Sequence, residues 1–287
     1  MAKNPTNFTF NNGGYPADFA DMFVNQNLFS DAGLWLWGRN AYGILGDNTV
    51  VNRSSPVQTI AGGTNWKLVA GGWYHTAAIK TDGTLWTWGR NGNGILGDNT
   101  VVNRSSPVQT IAGGTNWKLV AGGSYHTAAI KTDGTLWTWG YNGYGALGDN
   151  TTANKSSPVQ TVAGGTIWKS VAGGQFHTAA IKTDGTLWTW GHNYYGQLGD
   201  NTVVNRSSPV QTIAGGTNWK SVAGGQFHTA AIKTDGTLWL WGHKYYGQLG
   251  VNSITPNSSP VQTIAAGTNW KLVAGGAYHT AAITSIT

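Results

Sequence analysis

"VAGGWYHTAAIKTDGTLWTWG", residues 69–89, holds two short runs of strand character joined by an Asp-Gly turn, and close copies of it begin at Val120, Val171 and Val222. An Asp-Gly pair between β-prone runs is a strong hairpin signal, because the tight turn needs backbone that glycine adopts without strain. Half of the unit returns at each end of the chain. The pattern LWxW starts at Leu34, Leu85, Leu136, Leu187 and Leu238, a constant step of 51 residues with no insertion. A fixed period of that length marks a solenoid, a propeller or an array.

Each unit contains four short β runs: "WKLVAGG" from Trp66, "HTAAIK" from His75, "TLWTWG" from Thr84 and "PVQTI" from Pro107. Proline in the fourth run suits an outer strand, where its missing N–H is owed to no neighbour. Four antiparallel strands per unit make a propeller blade. The first copy starts in mid-blade at Leu34, and the last stops after "AYHTAAIT" at Thr284. The two halves add up to one blade. The expectation is an all-β, five-bladed propeller over residues 34–287, closed by N- and C-terminal strands that share a blade, behind an arm of residues 1–33.

Composition agrees with that class. The 287 residues include 43 Gly, 16 Trp and no Cys, and all eleven acidic residues are Asp. Tight turns and packed aromatics follow, without disulfides or thiol chemistry. No apolar stretch approaches the roughly 18 residues of a membrane span, and residues 1–14 lack the apolar core of a secretory signal. A soluble chain made in a cytoplasm is expected. The formal charge of +6 comes from Lys and Arg placed singly at repeating positions, such as Lys67, Lys80, Lys118 and Lys131, which reads as a solvated surface and makes nucleic acid an unlikely partner.

The repeated polar residues read as structural. His75, His126, His177, His228 and His279 come from five different blades, too dispersed to converge on a metal, and are expected as buried imidazoles bonded within their own blades. Asp82, Asp133, Asp184 and Asp235 fit hairpin turns. Asp47, Asp98, Asp149 and Asp200 in "LGDN" are expected to accept loop N–H bonds, with Val251 standing in the fifth copy. Trp86 and Trp88 share a strand face and, with Trp117 of the next blade, are expected to fill the space between blades. There is no Cys, no Glu, no GxSxG elbow and no Walker-type loop, so neither catalysis nor a cofactor or metal is expected.

The pattern "AGGxxHTAAIKTDGTLWTWGxNxxGxLGDN" resembles the repeat of the regulator of chromosome condensation family across residues 34–284. That resemblance implies propeller blades, seven in the founding members against five counted here. The family's propellers include a nucleotide-exchange factor, ubiquitin-ligase modules and sensors, so the resemblance implies fold and leaves function open. The near-identical copies behind "DFADMFVNQNLFSDAGLWLWG" also look like repeat proteins carried by tailed phages of cyanobacteria.

Differences between copies gather on one edge, the top, where the loops "AGGxx" and "WGxNxxGxL" emerge. One position reads Trp73, Ser124, Gln175, Gln226, Ala277, and another Arg39, Arg90, Tyr141, His192, His243. A third reads Ala41, Gly92, Gly143, Tyr194, Tyr245, and a fourth Ile44, Ile95, Ala146, Gln197, Gln248. Tyr42, Tyr144, Tyr195 and Tyr246 lie alongside. Aromatic plates with hydrogen-bonding neighbours are typical of recognition surfaces. The candidate ligand or partner residues are therefore Arg39, Tyr42, Trp73, Arg90, Tyr141, Tyr144, His192, Tyr194, Tyr195, His243, Tyr245 and Tyr246.

The arm holds Phe8, Phe10, Phe19, Phe23 and Phe29, with Phe19, Met22 and Phe23 spaced as one helical face. It either wraps the propeller or docks into a partner. Taken together, these features suggest a noncatalytic structural protein of a phage virion, made in the host cytoplasm. In that reading the arm attaches it to other virion proteins, and the top face recognises a host polysaccharide or envelope protein. The alternative is a cytoplasmic scaffold or regulatory propeller that binds a protein partner.

Overall fold

The computed structural model describes residues 32–163, 167–265 and 267–285. Phe8, Phe10, Phe19, Met22, Phe23 and Phe29 of the arm lie outside the described residues. The chain opens with a hairpin-like pair, β1 (Trp35–Gly38) and β2 (Arg53–Gln58). The first full blade is β3 (Trp66–Gly71), β4 (His75–Lys80), β5 (Leu85–Gly89) and β6 (Arg104–Gln109). The second is β7 (Trp117–Gly122), β8 (His126–Lys131), β9 (Leu136–Gly140) and β10 (Lys155–Gln160). The third is β11 (Trp168–Gly173), β12 (His177–Lys182), β13 (Leu187–Gly191) and β14 (Arg206–Gln211). The fourth is β15 (Trp219–Gly224), β16 (His228–Lys233), β17 (Leu238–Gly242) and β18 (Asn257–Gln262). A last pair, β19 (Trp270–Gly275) and β20 (Thr280–Thr284), ends the described chain. Every pairing of these strands is antiparallel, as the hairpin reading requires, and one isolated parallel bridge joins Ala32 to Asn65.

A β-bulge decides how blades stack. In the first blade Leu68 faces Ile79 across the ladder but Trp66 faces Lys80, so Lys67 is the extra residue. Strict alternation would put Trp66 and Leu68 on one face; the bulge sends them to opposite faces. Trp66 thereby joins Ala78 and Trp88 on the side that meets the preceding pair β1–β2. The other side carries Ala77, Ile79 and Leu85, which receive Trp117 and Trp139 of the next blade. Every blade thus has a bulky face and a shallow one. Trp88 packs edge-on against Trp66 of its own blade at 6.0 Å, not against Trp117, which corrects the expected grouping. Each indole pair at the lower end also holds a lysine: the Lys80 ammonium sits 4.9 Å from the Trp66 ring and 4.7 Å from that of Trp86.

Hydrogen bonds cross every complete interface. His75 Nε2 lies 2.8 Å from Thr127 Oγ1 of the following blade, and Thr127 Oγ1 donates to the Ile95 carbonyl at 2.8 Å. The hydroxyl proton is therefore committed, so the imidazole must donate from Nε2 and leave Nδ1 bare. His126, His177 and His228 repeat the arrangement with Thr178, Thr229 and Thr280. The partner is on the next blade, not within the same blade as expected, and His279 is exposed. Among the described residues no three metal-ligating side chains cluster.

The ends do not form the expected shared blade. Among the described residues β1 pairs with β2 and β20 with β19, as two separate two-stranded sheets. Ile283 is 60% exposed where Ile79, Ile130, Ile181 and Ile232 are fully buried, and Trp35 is 53% exposed. The cause is the packing between blades. Inner strands already touch backbone to backbone: a Cβ on Gly122 would stand 2.7 Å from the Gly72 nitrogen. Bending the array further would splay the outer strands and open the spaces filled by Trp88, Trp139, Trp190 and Trp241. The twenty strands of the described residues amount to five blades, with the fifth divided between the first and last pairs.

Replacing the fully buried Trp190 by Ala is expected to cost about 3–5 kcal/mol, read as a shift of the urea midpoint; a loss below about 1 kcal/mol would contradict its place in the core. The histidines generate an expected pH dependence. Burial pushes His75 and His177 down to about 3, and His126 and His228 to about 4, from 6.5. The unfolded chain therefore binds the extra protons, so stability falls as pH drops from about 6.5 through those values. The slope reaches about 1.4 kcal/mol per pH unit for each histidine, and these groups add no pH dependence above about 6.5. Melting temperatures across this range check the sign.

Candidate functional site

The top edge is assembled by two backbone contacts that recur in each blade. The residue before each buried histidine offers its carbonyl to the residue after the third strand: Arg90 N donates to Tyr74 O at 2.9 Å, Tyr141 N to Tyr125 O, His192 N to Phe176 O and His243 N to Phe227 O. This places an always-aromatic position beside a variable one. Between blades, Ser124 N donates to Gly174 O, Gln175 N to Gln226 O and Gln226 N to Gly276 O. Trp73 N makes the same contact to Gly123 O at 3.4 Å; Ser124, Gln175 and Gln226 are buried, whereas Trp73 is 39% exposed and stacks on Tyr74 with ring centroids 5.5 Å apart.

The aromatic rings join into a continuous track. Tyr42 meets Tyr74 at 5.8 Å, Tyr74 meets Tyr125 at 5.3 Å, and Tyr125 stacks on Phe176 at 5.0 Å with the planes 5° apart. Tyr144 touches both Phe176 and His192, Tyr141 touches Tyr144, and Tyr195 links Phe227 to His243. Tyr246 against Tyr278 at 5.1 Å ends the track. The Arg90 guanidinium lies among Tyr42, Tyr74 and Tyr125, 5.1–5.6 Å from their centroids. Burial raises the phenol pKa values of Tyr125, Tyr141 and Tyr195, so these rings stay neutral.

Within this track the candidate residues divide. Arg39 is exposed, and Tyr194, Tyr245 and Tyr246 are 70%, 57% and 71% exposed, so they and Trp73 are open to a ligand. Tyr42, Arg90, Tyr141, Tyr144, His192 and Tyr195 are half-buried supports. His243 is buried, and its Nδ1 accepts from Gln248 Nε2 at 2.6 Å. His192 Nδ1 and Gln197 Nε2 make the same contact, while Gln197 Oε1 accepts from Tyr195 N at 3.0 Å. His192 with Gln197 and His243 with Gln248 thus change together because the two positions are neighbours. Sequence reasoning treated them as two separate variable positions. It also missed Tyr74, Tyr125, Phe176, Phe227 and Tyr278, whose signal was an unbroken aromatic choice at one position in five copies.

The "LGDN" loops are braces under this edge. The Asp47 carboxylate takes bonds from Thr49 N at 3.0 Å, Thr49 Oγ1 at 2.7 Å, Asn40 Nδ2 at 3.0 Å and Arg53 Nε at 2.7 Å. Burial opposes its charge, but the bonds from Thr49, Arg53 and Asn40 outweigh that and hold the carboxyl below its ordinary value. In the fourth blade's loop Val251 replaces the aspartate and all three of its partners change: Lys244 stands for the asparagine, Ser253 for the threonine and Asn257 for the arginine, with Lys244 Nζ donating to Asn257 Oδ1 at 3.0 Å. A coordinated swap explains Val251 without any metal.

A repeated four-stranded antiparallel sheet, with an aromatic track along one edge, defines a β-propeller. The chain belongs to the RCC1-like domain family, whose model matches residues 27–286. It is 35% identical over 240 residues to the ultraviolet-B receptor UVR8 of Arabidopsis thaliana, covering 82% of this chain and 54% of the receptor. It is 30% identical to the mitochondrial RCC1 domain-containing protein RUG3 of the same plant, covering 99% of this chain and 66% of RUG3. The chain thus spans about half to two thirds of the length of these relatives. Its fold resembles that of Prp20p from Saccharomyces cerevisiae, with a TM-score of 0.76 and 20% identity over 88% of this chain and 64% of that one. These relatives are cellular proteins, which overturns the reading as a phage virion component. The virion partners, the host polysaccharide or envelope protein and the virion location fall with it, because they rested on the style of the repeats and on the short segment before Leu34.

Replacing Gln197 by Ala is expected to cost about 1–3 kcal/mol, because Tyr195 N–H and His192 Nδ1 lose their shared partner. In a double-mutant cycle with His192→Ala, the two losses are expected to fall short of additivity by about 1 kcal/mol; strict additivity would separate the pair.

Proposed function

We propose that this chain is a noncatalytic regulatory or scaffold propeller that holds a protein partner on its top edge. The observation that carries the reading is the aromatic track, with Trp73, Tyr194, Tyr245 and Tyr246 standing exposed on rings that are themselves packed. Rigid aromatic plates offer large contact area at little entropic cost, and interface cores favour Trp, Tyr and Arg. Arg39 and Arg90 add positive charge, which suits a partner with acidic side chains near its aromatic or aliphatic contacts. The relatives support the class: one is a receptor, and Prp20p has been studied for its binding to Gsp1p and histones. Those partners are properties of that protein; here they support protein binding as the activity.

The test immobilises the unmodified chain and a variant with Trp73, Tyr194, Tyr245 and Tyr246 all changed to Ala, and compares the proteins each retains from a cell extract by quantitative mass spectrometry. The expected result is loss of a specific set of proteins from the variant with its melting temperature within about 2 °C of the unmodified chain, since exposed side chains contribute little to stability. Equal retention by both would overturn the top edge as the binding surface.

A further inference from the structure

Two adjacent top loops carry a set of side chains that the other loops lack. The third blade reads "GHNYYGQLG" over residues 191–199 and the fourth "GHKYYGQLG" over 242–250, where earlier loops have Arg39 with Ile44, Arg90 with Ile95 and Tyr141 with Ala146. The glutamines fix the imidazole protons. Tyr195 N and Tyr246 N donate to Gln197 Oε1 at 3.0 Å and Gln248 Oε1 at 3.1 Å, so each amide nitrogen is turned to the ring. An NH2 group only donates, so Nδ1 of His192 and of His243 accepts from it, at 2.6 Å in both loops. Both imidazoles are therefore neutral, with the proton on Nε2. Neither Nε2 bonds to a described residue, and neither is sealed from solvent, unlike the buried bare Nδ1 atoms of His75, His126, His177 and His228. Tyrosines flank these donors. Tyr194 lies 5.1 Å from the half-buried Tyr195 ring with the planes at 89°, and Tyr245 of the next blade lies 6.4 Å from it at 83°. His192 is 6.5 Å from Tyr194, and His243 is 4.6 Å from both Tyr195 and Tyr245.

We infer that these two loops bind a proline-rich segment of a protein partner in the extended polyproline conformation, with Tyr194 and Tyr245 against its pyrrolidine rings and the two Nε2–H groups donating to its main-chain carbonyls. This rests on the top edge being a protein-binding surface, and it specifies what the third and fourth blades take. The donors select a neutral acceptor. A carboxylate would favour the imidazolium, whose second proton on Nδ1 would face the glutamine NH2. No carboxylate of these loops competes for the Nε2–H groups: Asp200 is taken by Asn193, Thr202 and Arg206, and Val251 stands in its place in the next loop. A polyproline helix leaves its carbonyls free of internal hydrogen bonds and is ordered before it binds, which lowers the entropic cost. Proline also brings no N–H, so a surface of fixed donors and rings leaves none of the segment's own donors unpaired. Aromatic grooves are the general means of holding such segments.

Fluorescence anisotropy with a labelled decaproline peptide tests the inference, with a Gly-Ser peptide and an oligo-aspartate peptide of equal length beside it. Decaproline is expected to bind the unmodified chain with a Kd of about 1 mM or tighter, and the other two at least about tenfold more weakly. Changing Tyr194 and Tyr245 together to Ala is expected to weaken decaproline binding by about tenfold or more at an unchanged melting temperature, because both rings are exposed. His192→Phe, which keeps a ring and removes the donor, is expected to weaken it by about three- to tenfold. Long-range proton–nitrogen NMR spectra of the unmodified chain read the tautomer directly and are expected to show Nε2 protonated and Nδ1 bare in His192 and His243. A proton on Nδ1 in either ring, equal binding by the double tyrosine variant, or a preference for oligo-aspartate would each refute the proposal. So would loss of proteins from the extract by the four-residue variant with no decaproline binding by the unmodified chain, a result that leaves the top edge standing as a binding surface and removes only the proline-rich segment.

Discussion

A blade can follow another at close quarters only if a bulky face meets a shallow one, and here a single-residue bulge creates both. By inserting Lys67 into the ladder, the chain turns Trp66 away from Leu68 and toward Trp88, leaving Ala77, Ile79 and Leu85 as the receiving surface. The same shift separates Trp117 from Leu119 and Trp219 from Ser221, so every complete interface is built alike. The remaining features rest on that interface. The histidine-to-threonine bonds need the next blade at a fixed distance, and the aromatic track needs successive top loops close enough for ring contact.

This dependence changes the meaning of variation on the top edge. Gln197 and Gln248 are buried against His192 and His243, so those substitutions preserve a local fit. Trp73, Tyr194 and Tyr245 lie on packed rings and keep much of their own surface exposed. In the proposed function, recognition falls on fewer residues than the pattern of substitution implied, and these are supported from beneath by aromatic positions that never vary in kind.

The phage reading failed for a physical reason as well as a comparative one. Near-identity between copies records how the units are packed, since every interface asks for the same side chains; it carries no information about where the protein works. The relatives place the same architecture in receptors and organelles of cells. Fold was thus more legible than function throughout.

By itself, the sequence determined the strands, the blade and the number of repeats, because a 51-residue period, an Asp-Gly turn and alternating side chains act within one unit. It also identified the top edge, which follows from strand direction alone. The bulge that sorts Trp66 from Leu68 escaped it, because a ladder's register depends on the neighbouring strand. The partners of the histidines escaped it for the same reason: Thr127 lies beside His75 only across an interface. Most plainly, the ends of the chain read as a closed blade because the sequence counts strands. Whether two halves meet depends on the angle at which each blade sits on the next, and that angle is set by tryptophans packed between sheets.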